Sequence, residues 1–312
     1  MPDLALDISG LRKSFGKVAA CEDLTLQVEV GQIAGLVGPD GAGKTTSFRM
    51  LCGILPADGG HAMVGGAEVT TDPEAVKQHL GYLPQQFSLH RDLTIDENIR
   101  YMADLYMVPH AEWQARADGL LDITYLTPFR KRLAGRLSGG MRQKLALVCS
   151  LIHRPRVLLL DEPTTGVDPV SRRDFWKILY DLPRQGVTIL ISTPYMDEAA
   201  RCSKLAFMSE GRLLAVDTPQ ALRSRLPYQM IEVRCRPQRE ARTALQHEPG
   251  VASVEVFGDR LHIALRPGTT SDALKPALKA AGVECEEVST VEPSLEDVFM
   301  ALTLEGQTEL SA

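Results

Sequence analysis

The segment Gly38-Pro39-Asp40-Gly41-Ala42-Gly43-Lys44-Thr45 restricts the fold of this chain more than any other stretch, because it fits G-x-x-x-x-G-K-[ST] and has the flanks that this pattern needs. The apolar run Ile33 to Val37 precedes it and the helical pattern Thr45 to Cys52 follows, giving a strand, a glycine-rich loop and a helix in order. Closely spaced backbone N–H groups at a helix N-terminus form a nest for an anion, and glycines let the backbone approach with no Cβ in the way. In such a loop Lys44 brings a point charge to the outer phosphates of a nucleotide, and Thr45 brings a hydroxyl to Mg2+. A glycine-rich turn that matches by coincidence is the competing reading. The strand before it and the helix after it weigh against that.

Composition leaves the rest of the chain ordinary. Of 312 residues, 44% are apolar and 24% charged, which argues for a globular protein with room for a large domain and a small one. A formal net charge of −6 offers no basic footprint, so no nucleic-acid partner is expected. Six cysteines (Cys21, Cys52, Cys149, Cys202, Cys235 and Cys285) lie far apart without a C-x-x-C pair, which predicts reduced, mostly buried thiols rather than a zinc site. Met1-Pro2-Asp3 lacks the basic and apolar regions of a secretory signal. Apolar stretches such as Leu145 to Ile152 fall far short of the ~18 residues that cross a bilayer. A cytoplasmic location is therefore expected, with any membrane role reached through a partner.

Leu4 to Leu11 and Ala20 to Val30 alternate apolar with polar residues in the manner of half-buried strands, with Lys13-Ser14-Phe15-Gly16 as the turn between them. From about Phe87 to Ile152 the pattern is helical, opened by Thr94 and Glu97 at the spacing of a capping box. Strand patterns return at Val157 to Leu160 and Val187 to Ser192 around an expected helix, Ser171 to Leu182, which argues for a parallel core sheet. After Leu226-Pro227 the order becomes βαββαβ, with strands Ile231 to Cys235, Val251 to Phe257, Arg260 to Leu265 and Val283 to Val288, and helices Arg239 to Gln246 and Ser271 to Ala281. That order is ferredoxin-like. A last helix is expected over Ser294 to Thr303, with Ser294 as its N-cap. The expected domains are thus 4–226, with a helical subdomain over about 87–152, then 227–304, and a tail over 305–312.

Leu158-Leu159-Leu160-Asp161-Glu162 reads as a buried strand ending in two acids, at the strand end where parallel α/β sheets place ligands. Asp161 would hold the Mg2+ shell and Glu162 would polarise an attacking water; alone, an apolar run ending in two acids is just as well a structural feature. Upstream, at the start of a helical pattern, stands Leu137-Ser138-Gly139-Gly140-Met141-Arg142-Gln143. This resembles the signature sequence of ATP-binding cassette (ABC) proteins.

The resemblance runs from Leu6 to about Leu226. It implies an α/β P-loop NTPase cassette, with a mixed sheet core, an antiparallel β subdomain and a helical subdomain. It also implies an ATPase dependent on ATP and Mg2+, in which the nucleotide lies on Gly38 to Thr45 and Thr46, and in which Ser138, Gly139, Gly140 and Gln143 grip the ATP held by an opposite subunit. Phe15 sits where the family stacks an aromatic on adenine, or it is an apolar anchor in a turn. Gln85 resembles the glutamine that contacts Mg2+, relays to the membrane partner and acts beside Glu162 in catalysis; Gln86 is a competing register, and a plain solvated amide is the alternative. Asp168 in Gly166-Val167-Asp168-Pro169 resembles the D-loop that crosses the dimer interface, or it is a helix N-cap. The tail Glu292-Pro293-Ser294-Leu295-Glu296-Asp297-Val298-Phe299 looks like that of the ATP-binding subunits of ABC-2 type exporters, a group that includes drug-resistance ATPases. Membrane permease subunits and a second cassette are the partners so implied, on the inner face of the cytoplasmic membrane.

Two departures stand out. Asp40 replaces the Asn of many relatives and adds a negative charge near phosphate. Where the family has Ser-Thr-His, this chain has Ser192-Thr193-Pro194, and a proline offers neither a ring nitrogen nor a backbone N–H to a γ-phosphate. Besides an exporter subunit, the sequence therefore leaves open a slow or non-hydrolysing cassette in an asymmetric pair. A soluble ABC protein acting on ribosomes or DNA is the remaining alternative, though it lacks the second cassette or the coiled coils expected of those groups.

Overall fold

In the computed structural model, which describes residues 3–86 and 88–310 and only the backbone of 305–310, two long strands open the chain. β1 (Leu4–Phe15) pairs antiparallel with β2 (Val18–Glu29), and the register shifts repeatedly between Ile8 and Ser14. These irregularities let pairing continue to Phe15↔Val18, so the turn lies at Gly16-Lys17 and not at 13–16. Asp58 fixes that extension by accepting hydrogen bonds from Lys13 Nζ and the Ser14 N–H, each at 2.7 Å. β3 (Ile33–Val37) leads through the glycine-rich loop into α1 (Lys44–Leu51), and β4 (Gly59–Val64) and β5 (Ala67–Glu68) join β1 and β2 in a sheet of order β2-β1-β4-β5. Its apolar face packs Leu6, Ile8, Leu24 and Leu26 with Phe48 and Leu51 of α1.

The second sheet has the order β10-β9-β3-β8-β7-β6, with β6 (Leu80–Leu83), β7 (Val157–Asp161), β8 (Thr188–Thr193), β9 (Lys204–Ser209) and β10 (Arg212–Asp217). All its pairs are parallel except β9–β10. Every residue of β3, β7 and β8 is buried, which matches their unbroken apolar runs, because strands covered on both faces have no reason to alternate. β3, β7 and β8 end side by side, and so deliver the glycine-rich loop, the two acids and Pro194 to one sheet edge.

Helices α2 (Pro73–His79), α3 (Ile95–Leu105), α4 (His110–Ile123), α5 (Gly139–Leu151), α6 (Pro169–Asp181) and α7 (Met196–Ala199) complete this part. α3, α4 and α5 share a core of Ile95, Ile99, Trp113, Leu121, Leu145 and Val148. The expected capping box is present at α3: Thr94 Oγ1 accepts from the Glu97 N–H, and Glu97 accepts from the Thr94 N–H. Fully buried Asn98 donates to the carbonyls of His90, Leu93 and Thr94, which fastens the segment after Gln85 onto α3. Phe87, where the helical segment is expected to begin, lies outside the described residues.

Chain contacts divide the protein into Met1–Pro219 and Gln220–Ala312. After α8 (Pro219–Ser224), the second unit contains β11 (Gln229–Arg236), α9 (Gln238–Leu245), β12 (Val251–Phe257), β13 (Arg260–Leu265), α10 (Lys275–Ala280) and β14 (Glu284–Thr290). The sheet order β12-β13-β11-β14, antiparallel throughout, is that of a ferredoxin-like fold. Alternate residues Ile231, Val233 and Cys235 of β11 pack with Leu245 of α9 and Leu278 of α10. The single helix expected over 271–281 is divided: a 3-10 turn, Ser271–Leu274, precedes α10, whose first turn holds Pro276 where no N–H is needed. α11 (Leu295–Leu310) outruns its expected end at Thr303 and takes in most of the expected tail, of which residues 311 and 312 lie outside the described residues. Ser294 and Asp297 cap it reciprocally, at 2.7 to 3.1 Å. All six cysteines are free, and Cys285 is the exposed one.

The glycine-rich loop is wedged between strands. A Cβ on Gly38 would lie 2.0 Å from the Met208 carbonyl oxygen, and one on Gly43 would lie 2.1 Å from that of Ala20. Gly43 also has φ +104°, a conformation costly for any L-residue. Gly43→Ala is therefore expected to lower stability by about 2–4 kcal/mol, seen as a fall of roughly 5–10 °C in the thermal midpoint; a midpoint within 2 °C of wild type would contradict the wedge. Truncation after Leu226 is expected to leave a cassette that unfolds cooperatively and still binds ATP. An insoluble product, or one without nucleotide affinity in calorimetry, would show that the C-terminal part belongs to the core.

Candidate functional site

α1 starts on Gly43 with no side chain capping its first turn, so its leading N–H groups are open to an anion where the loop turns into the helix. A cavity of about 510 Å³ lies there, lined by Asp40, Gly41, Gly43, Lys44, Thr45 and Thr46, by Gln85 and Glu162, and on one side by Val18, Ala19, Ala20 and Glu210. Lys44 is 3% exposed and donates to the carbonyl oxygens of Gly38 and Pro39, each at 2.8 Å. Its Nζ is also 3.0 Å from Glu162 Oε1. Ala42 is buried, with its carbonyl accepting from the Gly211 N–H in the β9–β10 turn.

β7 presents its two acids differently. Asp161 Oδ1 accepts from Ser192 Oγ at 2.7 Å and from Thr45 Oγ1 at 3.2 Å, while Oδ2 is buried without a hydrogen-bond partner. Burial raises this carboxyl above the usual aspartate range against the opposing hydrogen bonds of Ser192 and Thr45. Burial, followed by the Asp161 charge, likewise pushes up the neighbouring Tyr82 phenol. Glu162 turns into the left-handed region with φ +47°, and its N–H is held by the Ser192 carbonyl and hydroxyl. Its Oε2 accepts from Gln85 Nε2 at 3.0 Å and from Thr165 Oγ1 at 3.4 Å. Of the two registers open in Gln85-Gln86, the structure puts Gln85 in the cavity.

The other expected residues lie elsewhere. Ser138 N-caps α5, and its Oγ accepts from the Met141 N–H at 3.3 Å. Gly139 and Gly140 begin that helix, with Gln143 one turn on. A Cβ on Gly140 would lie 2.5 Å from Ser171 Oγ of α6, so the two helix starts touch. Asp168 N-caps α6 by accepting from the Ser171 N–H at 2.9 Å, a bond that holds its carboxyl below the usual range. Phe15 ends β1 and is 53% exposed. Pro194 follows β8, and Tyr195 after it carries the Arg172 guanidinium over its ring at 4.4 Å.

Sequence reasoning missed Ser192, Thr165, Glu210 and the wall Val18–Ala20. Ser192 stood in the triplet ending at Pro194, and only the proline drew scrutiny. Glu210 sits in a turn between two strands too weakly patterned to be predicted.

The residues present fit Mg2+. Asp161 Oδ2 is buried without a partner and the Thr45 hydroxyl lies beside Oδ1, oxygens of the kind this ion takes when phosphates and water supply the remainder, and the Gln85 carboxamide lines the same cavity as Thr45. Among the described residues no cluster of three His, Cys, Asp or Glu offers a fully protein-held metal site.

Comparison with known proteins places this geometry. Residues 21–165 match the family model for "ABC transporter", and residues 218–303 match "ATP-binding protein DrrA1-3-like, C-terminal domain". The chain is 39% identical, over 97% of its length, to the "Probable multidrug ABC transporter ATP-binding protein YbhF" of Escherichia coli, and spans about half (52%) of that relative. It is 34% identical to the daunorubicin resistance ATP-binding protein DrrA2 of Streptomyces coeruleorubidus, covering 97% of this chain and 96% of the relative. A solved structure titled "Structure of ATP binding subunit of ABC transporter" superposes with a TM-score of 0.65 at 28% identity, over 70% of this chain and 92% of that one. A cassette fold with a DrrA-like C-terminal domain, matched across nearly the full length of a resistance ATP-binding protein, means that the chain belongs to the ATP-binding subunits of the ABC transporter family.

Proposed function

We propose that this chain binds ATP with Mg2+ and hydrolyses it to drive export through separate membrane permease subunits. The observation that carries the reading is the uncapped start of α1 above the buried Lys44, which stands 3.0 Å from Glu162 in a cavity of nucleotide size. Exporter function is supported by the relatives' names, which specify multidrug, daunorubicin resistance and Nod factor export ATP-binding proteins. Among the described residues no helix is long and apolar enough to cross a membrane. The reading pairs the cassette with a separate permease at the inner face of the cytoplasmic membrane, and its support is the relatives' names as ATP-binding proteins of transporters and exporters.

In this reading the N–H groups of Gly41 to Thr45 and the Lys44 ammonium bind the phosphates. Thr45 and Asp161, with Gln85, hold Mg2+, which supplies charge neutralisation on the phosphate oxygens. Glu162 accepts a proton at its carboxylate from the water whose oxygen attacks the γ-phosphorus as the bond to the bridging oxygen breaks. Val18 to Ala20, with Phe15 beyond them, receive the base. Ser138, Gly139, Gly140 and Gln143 serve the ATP of a second cassette, whose own signature closes over this cavity, with Asp168 at the junction.

Pro194 favours an asymmetric pair. The strand end offers the γ-phosphate no ring nitrogen, while Glu162 and Gln85 remain in place. This subunit's own site therefore turns over slowly, and its signature completes a faster site on a partner.

Lys44→Ala is expected to weaken ATP binding at least 10-fold, about 1.4 kcal/mol, with the fold retained. Calorimetric affinity within twofold of wild type would remove the central assignment. Purified alone, the chain is expected to hydrolyse ATP slowly, and Pro194→His to accelerate it by about 10- to 150-fold, the worth of one hydrogen bond to a charged group acting in the transition state. Brisk wild-type turnover that Glu162→Gln abolishes would refute the asymmetric pair while leaving the ATPase reading intact.

A further inference from the structure

A carboxylate with no exposure at all lies behind the site. Glu198, in the short helix α7, accepts at Oε1 from Thr164 Oγ1 (2.5 Å) and at Oε2 from Thr193 Oγ1 (2.8 Å). Both threonines are 1% exposed. Arg172 of α6 brings its Nε to 3.6 Å from Glu198 Oε1 and lies over the ring of Tyr195. Thr193 Oγ1 also accepts from the Tyr195 N–H at 3.1 Å, so its one proton is committed to Glu198.

These partners come from three separate segments. Thr164 lies two residues beyond Glu162, in the stretch that leads to Asp168. Thr193 is the last residue of β8, immediately before Pro194. Arg172 is one turn into the helix that Asp168 caps. An ionised group is expensive to bury, and an apolar side chain would fill the space at lower cost. A carboxylate, though, can accept from two hydroxyls at once and so fix two chain segments in one register.

That register bears on Glu162. Its left-handed backbone is pinned on one side by Ser192 through the Glu162 N–H. On the other side the chain is pinned by Thr164 through Glu198.

We propose that Glu198 is a positioning residue for ATP hydrolysis, acting through Thr164 and Thr193 to hold the Glu162 segment, the end of β8 and the start of α6 in one alignment. The inference rests on the reading of Glu162 as the proton acceptor. Misalignment of a reacting group lowers turnover without weakening a phosphate site built from other residues. Lys44 and the amides of Gly41 to Thr45 meet this network only indirectly, through the Lys44–Glu162 pair and through the Gly38 N–H on the Thr193 carbonyl at 3.3 Å, a backbone bond that a change in the Thr164 side chain leaves in place.

The decisive variant is Thr164→Val, which removes one hydroxyl, keeps the branched shape and leaves Glu198, Thr193 and Arg172 in place. Single-turnover phosphate release is expected to slow about 10-fold, with KM for ATP and the affinity for a fluorescent ATP analogue within twofold of wild type. Thr164→Ser, which restores the hydroxyl, is expected to recover most of the rate. Glu198→Gln is expected to show the same split between rate and affinity; should it fail to fold, the Thr164 pair decides alone. Release within twofold of wild type in Thr164→Val, or a loss of affinity in proportion to the loss of rate, would overturn the proposal. Glu162→Gln in the same assay separates the two readings. If it turns over like wild type, the proton-acceptor assignment falls; if it is inactive while Thr164→Val is unaffected, only the role of Glu198 falls.

Discussion

The ion pair between Lys44 and Glu162, 3.0 Å long with both side chains at least 94% buried, is the contact around which the rest of the cassette is arranged. Two charges removed from water are tolerable only when each is met by partners of the right kind. Here Lys44 has two loop carbonyls, and Glu162 has Gln85 and Thr165. Those partners are in reach because three all-buried strands end at the same sheet edge, and because the glycine-rich loop passes closer to Met208 and Ala20 than any side chain would permit. The apolar core is therefore what pays for a polar site, and the site's geometry is a statement about strand register.

Much of this was legible in the sequence where a pattern had only one physical solution. Ile33 to Val37 followed by Gly38 to Thr45 admits strand, loop and helix in that order, and the structure has them. The βαββαβ order beyond Leu226 likewise resolves into one antiparallel sheet, with β12 and β13 at the expected residues. The capping box at Thr94 was readable because it is a contact between residues three apart.

What stayed illegible depends on contacts between distant segments. The extension of β1 to Phe15 follows from Asp58, more than forty residues away in sequence. β4, β9 and β10 are short strands whose pairing comes from their neighbours more than from their own alternation. Ser192, which touches both acids, carries no mark of that role in sequence, since a serine near the end of a buried strand is as often a satisfied core hydroxyl.

Gly140 shows how a residue can answer to two masters. Its missing Cβ leaves space filled by Ser171, so a side chain there would force apart the starts of α5 and α6 whatever nucleotide lay opposite. The glycine is thus demanded from inside the subunit by packing alone. A cassette whose signature had ceased to meet any ATP would still be under pressure to keep it. An intact Gly140 is accordingly poor evidence that the opposite site is active, and so is Ser138, which caps α5 from inside the subunit; Gly139, where a Cβ would meet nothing nearer than 4.0 Å, is the better residue from which to read that site's history.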